Sequence, residues 1–247
     1  MESQEAEVVQ AMPSHGVTHQ GKVRDHNEDA FLDLGEQGLW VVADGAGGHE
    51  KGEVASNLIV EELAKFTCQD ELSANVNWLV ERLRDVNQKL ITMREDLAGG
   101  GLIGSTVAAL LSHHGYVVCL WSGDSRVYLY RNGQLFLLTQ DHNRWEEFLS
   151  AGFDENELKK YPMANQLIKA VGAGPVLGLD VQLYEMKPDD IYLLCSDGLS
   201  GELSEEEIIS VLEADTDVRE MADTLIAKTL NYQARDNITA ITVGSKN

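Results

Sequence analysis

Four aspartates stand where apolar segments stop or start: Asp44 after LWVVA, Asp124 after VVCLWSG, Asp197 after YLLCS, and Asp236 just before NITAITV. If those segments are buried strands, all four carboxylates can meet at one rim of the sheets. Singly, an Asp-Gly at a strand end is an ordinary turn. Gathered together, carboxylates repel one another and resist ionisation unless a cation neutralises them. A metal site is the economical explanation.

The ligand types narrow the choice of metal. Neither Cys-x-x-Cys nor His-Glu-x-x-His occurs, which removes two nitrogen and sulfur arrangements that zinc and copper favour. Oxygen ligands point to magnesium or manganese. Glycine directly after the acid lets a backbone carbonyl approach an ion, so Asp44-Gly45 offers a carboxylate and a carbonyl together. His26, His49 and His142 fall in loops near the acids, where histidines are mostly solvated.

The elements that must position these groups can be read from periodicity. Leu39 to Ala43 is a short β-branched run between Gly38 and Asp44-Gly45, as a strand buried on both faces would be. Apolar residues then recur at helical spacing from Ala55 to Phe66 and again from Val76 to Leu97, with the Gly99-Gly100-Gly101 run as a stop. Ser105 to Leu111, Tyr116 to Trp121, Val127 to Tyr130 and Leu135 to Leu138 form an antiparallel meander, with Asn132-Gly133 marking a hairpin. Residues 139 to 175 read as a helical insertion lying over the sheet. Ile191 to Cys195 is a further strand, Ser204 and Glu207 form a capping box, Val218 to Ile226 mark the last helix and Ile238 to Val243 the last strand. Strands in runs with helices in adjacent pairs indicate an α+β fold, an antiparallel β-sandwich flanked by pairs of α-helices. Residues 1 to 15 read as a flexible N-terminal arm, and 16 to 247 as one domain.

Bulk properties exclude several partners. The 247 residues carry 19 basic and 41 acidic side chains, a formal net charge of −22. That charge repels nucleic-acid backbones and anionic membranes alike. Cys68, Cys119 and Cys195 are odd in number and far apart, as expected of reduced core residues in a cytoplasmic protein. No signal peptide or membrane-spanning apolar run is present in the sequence.

Taken in order, Arg24-x-x-Asn27-Glu28-Asp29, Asp44-Gly45-Ala46-Gly47-Gly48, Gly104-Ser105-Thr106, Gly123-Asp124-Ser125-Arg126, Ser196-Asp197-Gly198 and Arg235-Asp236-Asn237 resemble the successive motifs of the metal-dependent type 2C serine/threonine protein phosphatases. The match runs from about Thr18 to Val243. The stretch GAGGHEKGEVAS and the insertion at 139 to 175, which resembles a mobile flap, are similar to the bacterial branch.

The resemblance implies hydrolysis of phosphoserine and phosphothreonine in proteins by a metal-bridging hydroxide, reversing a protein kinase, with two or three Mn2+ or Mg2+ ions. By that likeness Asp44 would bridge two metals and the Gly45 carbonyl would join the second. Asp197 and Asp236 would complete the first, Asp29 would act through bound water, and Asp124 with Asp197 would hold a third ion. Arg24 would grip the substrate phosphate. Eukaryotic members carry histidine where this chain has Ala46, so the leaving group's proton is expected from water held by the metals in preference to His49. The implied partners are a phosphorylated protein substrate and its opposing serine/threonine kinase, and the chain itself is expected to be a monomer. Two rival readings are a catalytically weak phosphoprotein-binding relative and another metal-dependent phosphoester hydrolase.

Overall fold

A computed structural model describes residues 12–47, 50–95, 101–158 and 161–244. In chain order its elements are β1 (Ser14–His19), β2 (Asp29–Leu34), β3 (Leu39–Ala46), α1 (Glu50–Leu63), α2 (Leu72–Glu95), β4 (Gly104–Ser105), β5 (Val107–His113), β6 (Tyr116–Ser122), β7 (Arg126–Arg131) and β8 (Gln134–Leu137). There follow α3 (Arg144–Ser150), α4 (Glu155–Leu158), β9 (Asp180–Glu185), β10 (Ile191–Cys195), α5 (Asp197–Ser200), α6 (Glu205–Leu212), α7 (Val218–Thr229) and β11 (Ile238–Gly244).

Why the central strands read as unbroken apolar runs is visible in their two faces. On β3, Leu39, Val41 and Ala43 pack against Ile59 and Leu63 of α1 and Leu79 and Leu83 of α2. The alternate residues Trp40 and Val42 turn the other way, onto Val127, Tyr192 and Ile241 of the second sheet. On β10 the alternation repeats: Tyr192 and Leu194 enter the inter-sheet core, while Leu193 and Cys195 meet Ile208, Met221 and Leu225 of α6 and α7. Each inner strand thus buries both faces, and the layers stack α-β-β-α as the sequence indicates. Among the described residues one sheet has the order β1-β11-β10-β7-β8 and the other β2-β3-β5-β6-β9, with β4 paired to the end of β3. Every pairing is antiparallel.

Local signals hold at several points. Asn132 and Gly133 take φ of 52° and 77°, the positive pair a two-residue hairpin turn requires. Ser204 and Glu207 form the reciprocal capping box. The three cysteines are free thiols, two of them buried. Among the described residues no helix is long and apolar enough to cross a membrane.

Other expectations need correction. Strands β1, β2 and β9 are absent from the periodicity reading. Chain order begins at Ser14, inside the segment read as an arm, whose residues 1–11 lie outside the described residues. The expected strand from Ser105 to Leu111 divides at Thr106, where backbone and side chain turn to Asp44. Helix α2 is described as far as Glu95, and residues 96–100, where the glycine run was expected to stop it, lie outside the described residues. The insertion does contain α3, α4 and a 3-10 turn at Pro162–Asn165. Among the described residues their main packing is on one another.

Leu110 is fully buried between the sheets, opposite Trp40. Leu110→Ala should destabilise by about 2 to 5 kcal/mol, through lost transfer energy and a residual cavity. For a chain of this size that corresponds to a fall in Tm of roughly 5 to 15 °C. A fall under about 2 °C, read by differential scanning calorimetry, would refute the packing assigned to this layer.

Candidate metal centre

Two strands bring the first two carboxylates face to face. In the β2–β3 register Asp29 lies directly opposite Asp44, an arrangement that like charges disfavour. Asp44 therefore belongs to the strand itself, since β3 continues to Ala46. Its backbone is clamped by the Gly104-Ser105-Thr106 segment: Thr106 Oγ1 accepts from Asp44 N at 3.0 Å, while Thr106 N and Ser105 Oγ donate to Asp44 O at 2.8 and 2.9 Å. Thr106 Oγ1 also lies 2.6 Å from Ser125 Oγ, tying the Asp44 end of β3 to the turn that carries Asp124.

Close backbone approach explains two of the glycines. A Cβ on Gly45 would stand 2.1 Å from the carbonyl oxygen of Gly52 and 2.6 Å from that of Glu28. Glycine is thus required there by packing, whatever its carbonyl contributes. A Cβ on Gly198 would stand 1.9 Å from the Asn237 carbonyl. The bare Cα lets the start of α5 lie against the start of β11, which sets Asp197 beside Asp236. Asn237 in turn anchors the preceding loop: its Oδ1 accepts from Glu28 N, and its Nδ2 donates to the carbonyls of Gln20 and His26.

The sequence singled out Asp29 without showing what holds it. Ser196 Oγ and Thr239 Oγ1 each donate to Asp29 Oδ2 at 2.7 Å, across the gap between the two sheets. Thr239 lies 2.7 Å from Thr18 Oγ1, which accepts from Asn27 Nδ2. The hydroxyls of Thr18 and Thr239 and the amide of Asn27 thus form a relay toward one carboxylate oxygen. The other, Asp29 Oδ1, is buried and has no hydrogen-bond partner among the described residues. Ser196, at the N-terminus of α5, makes no side-chain cap bond there, because its hydroxyl is committed to Asp29. Spacing in sequence could not reveal these clamps.

Electrostatics reflect the crowding. Burial first, and then the charge of Asp197 and Asp236, push the Asp29 carboxyl up to about 7 against the pull of its two hydroxyl donors. Burial, then Asp197 and Asp141, raise Asp124 to about 7. Asp44 is raised well above the usual range by burial and then by Asp29, Asp197, Asp124 and Asp236. For Asp197 burial and Asp236 act upward, while a hydrogen bond with Asp44 and the charge of Arg24 act downward. The same cluster is open to solvent on one side, where Asp197 and Asp236 reach the surface. Arg24 Nη2 sits 2.7 Å from Asp236 Oδ2, at the edge of the cluster.

All five sequence-predicted aspartates therefore come within electrostatic range of one another, with Gly45 and Arg24 beside them. Among the described residues no three His, Cys, Asp or Glu side chains already converge tightly enough to grip an ion as they stand. The donor set nonetheless fits a hard divalent cation: oxygens throughout, one orphaned carboxylate oxygen, and raised carboxyl pKa values that such a charge would bring down.

The histidines are elsewhere or otherwise engaged. His142 is buried, accepts from Gly123 N at 3.2 Å and lies 3.0 Å from Asp180 Oδ2. Together with the two-pronged bond from Arg126 to Asp141 at 3.0 and 2.8 Å, it fastens the start of the insertion to the Asp124 turn. His15 and His19 have a His-x-x-x-His spacing but fall on a strand, where four residues span about 13 Å and cannot share an ion. Ala46 pairs with Gly104, and His49 lies outside the described residues.

Comparison with known proteins agrees with this arrangement. A family model described as protein phosphatase 2C matches residues 16–239. The serine/threonine phosphatase stp of Listeria welshimeri is 32% identical over 237 residues, covering 92% of this chain and 93% of the relative. A solved structure of PppA, a key regulatory component of T6SS in Pseudomonas aeruginosa, superposes with a TM-score of 0.87 at 36% identity, covering 96% of this chain and 98% of that one. The catalytic domain of the serine/threonine protein phosphatase PstP, solved in complex with 2 manganese ions, superposes with a TM-score of 0.82 at 30% identity, covering 96% and 99%.

Two outcomes follow for the protein without its ions. Carboxyls whose pKa is raised in the folded state favour the fold when protonated; that contribution is present below the unfolded value of about 4 and is lost as pH rises through about 7. In EDTA, Tm should therefore fall between pH 5.5 and 8, and manganese should raise it at pH 8. A Tm that climbs over that interval in EDTA and ignores manganese would contradict the cluster. Separately, Thr239→Val removes one donor to Asp29 and should weaken manganese binding by about 10-fold or more by calorimetry. Affinity within about twofold of the parent would show the clamp to be idle.

Proposed function

The chain belongs to the protein phosphatase 2C family, and from that premise we propose how its own residues divide the work. It is a metal-dependent serine/threonine protein phosphatase acting on phosphoproteins. The observation that carries the reading is the gathering of Asp29, Asp44, Asp124, Asp197 and Asp236 at one rim with Arg24 at its edge.

Asp44, the Gly45 carbonyl, Asp197 and Asp236 would hold a pair of ions, with Asp29 acting through water and Asp124 with Asp197 serving a third. When bound, such ions supply Lewis acidity and lower the pKa of water for attack at phosphorus. Manganese or magnesium would suit these positions, since the ligands are hard oxygens. Arg24 would receive the phosphoryl oxygens through its planar fork. The hydroxyls of Ser196 and Thr239 orient Asp29, and Thr106 with Ser105 fixes the Asp44 backbone. With alanine at position 46, the side chain there cannot protonate the leaving oxygen, and water is preferred to His49 for that role. The insertion at 139–175 would border the site as a flap of a single domain spanning 16–247. The physiological setting we assign is a cytoplasmic monomer opposing a serine/threonine kinase.

A panel of phosphothreonine peptide, bis-nitrophenyl phosphate and nucleic acid, each with and without manganese, tests the reading. Only the phosphopeptide should turn over well, and EDTA should abolish it. Asp44→Asn should lower kcat by on the order of a thousandfold, and Arg24→Ala should cost about 2 to 3 kcal/mol, chiefly in KM. Turnover that survives chelation, or a folded Asp44→Asn protein keeping more than about a tenth of its activity, would overturn the assignment.

A further inference from the structure

A groove runs away from Arg24 along α1. A cavity of about 230 Å³ lined by Arg24, Asp25, His26 and Glu28 shares His26 with a second of about 520 Å³. That second cavity is bounded by Glu53, Val54, Leu58, Glu61 and Met93. It passes through Leu58 and Met93 into an open cleft between α1 and α2.

Its lining is mixed in an ordered way. Val54 and Met93 are 42% and 39% exposed, an apolar floor contributed by two helices. Glu53 and Glu61 stand above it at i and i+8, on one stripe of α1. Neither carboxylate has a partner among the described residues, whereas the adjacent Glu62 is held by Lys65 at 2.8 Å and Lys89 at 2.6 Å. Glu53 is at the metal-centre end: Gly52 packs on Gly45, and Ser56 Oγ donates to Glu28 O at 2.6 Å. Glu61 lies two turns further, about 12 Å along the axis at 1.5 Å per residue. Four residues of extended peptide span about 13 Å, and side chains at i and i+4 share a face.

Building on the phosphatase reading, we propose that this groove binds the segment flanking the phosphorylated residue and selects phosphopeptides with Lys or Arg there. Glu53 and Glu61 receive the cationic heads, and Val54, Leu58 and Met93 receive the aliphatic stems. Long basic side chains suit such a lining because their methylenes pack on apolar surface while the charge stays wet. An acidic flank would meet two uncompensated carboxylates in a protein of net charge −22, so the groove rejects as well as accepts.

The test uses the whole manganese-loaded protein and one phosphothreonine core sequence flanked by Lys and Arg, by Ala or by Glu. Each kcat/KM is divided by the same protein's rate on nitrophenyl phosphate, which has no flank. The wild type should prefer the basic over the acidic flank by about tenfold, less at high salt. The double variant E53Q/E61Q should bring that ratio within about threefold, and E53K/E61K should invert it. Inversion is a gain that misfolding cannot produce. Equal use of all flanks by the wild type, or an undiminished preference in the double variants, would overturn the groove assignment and leave the phosphatase reading standing. A wild-type protein that hydrolyses neither the peptides nor nitrophenyl phosphate would overturn the phosphatase reading itself.

Discussion

Five carboxylates held at one rim, with the Arg24 guanidinium at its edge, set the terms for the rest of this structure. Two unit charges about 5 Å apart repel by on the order of 3 kcal/mol at an effective dielectric of about 20. Asp29 and Asp44 face each other directly across a strand pair, and Asp197 adds to the repulsion on both. A domain stable by only about 5 to 15 kcal/mol cannot sustain several such terms ionised without an opposing charge. The three packed cores on either side of and between the sheets are what hold the rim together until a cation arrives.

Position is imposed on those carboxylates by the backbone. Gly45 and Gly198 allow main chains to touch where any side chain would collide. Ser105 and Thr106 hold Asp44 by its peptide groups, leaving its carboxylate free to turn inward. Ser196 and Thr239 come from the other sheet to grip Asp29. The site thus spans both sheets, and neither sheet alone could build it. That is why the inter-sheet core, far from any reacting atom, belongs to the chemistry.

The legible parts of this architecture share a physical cause. Inner strands bury both faces and so appear as uninterrupted apolar runs, and the acids at their ends stand out by contrast. Helices α1, α2 and α7 announce themselves by amphipathic spacing, and the β7–β8 hairpin by a dipeptide suited to positive φ. Strands β1 and β9, at sheet edges, bury little: Val181 and Leu183 are exposed on β9, and no residue of β1 is buried. Without burial there is no pattern to read. The grip on Asp29 was illegible for a different reason, since its two hydroxyl partners lie 167 and 210 positions away. Only folded geometry brings them together.

The pairing of Arg24 with Asp236 sets structure against function, because it occupies both a proposed phosphate ligand and a proposed metal ligand. Exposure resolves the conflict. The two side chains are 49% and 38% exposed, and exposed pairs of this kind contribute about 0 to 1 kcal/mol. So weak a contact holds the guanidinium at the lip of the site without committing it. Were Asp236 to give its carboxylate to a divalent ion, Arg24 would lose its nearest counter-charge at the position where a phosphate dianion would enter, with Glu28 and Asp44 still close by. Its fork then meets a ligand with more charge and better geometry than the one it gave up. The salt bridge would then be the resting posture of the proposed substrate grip.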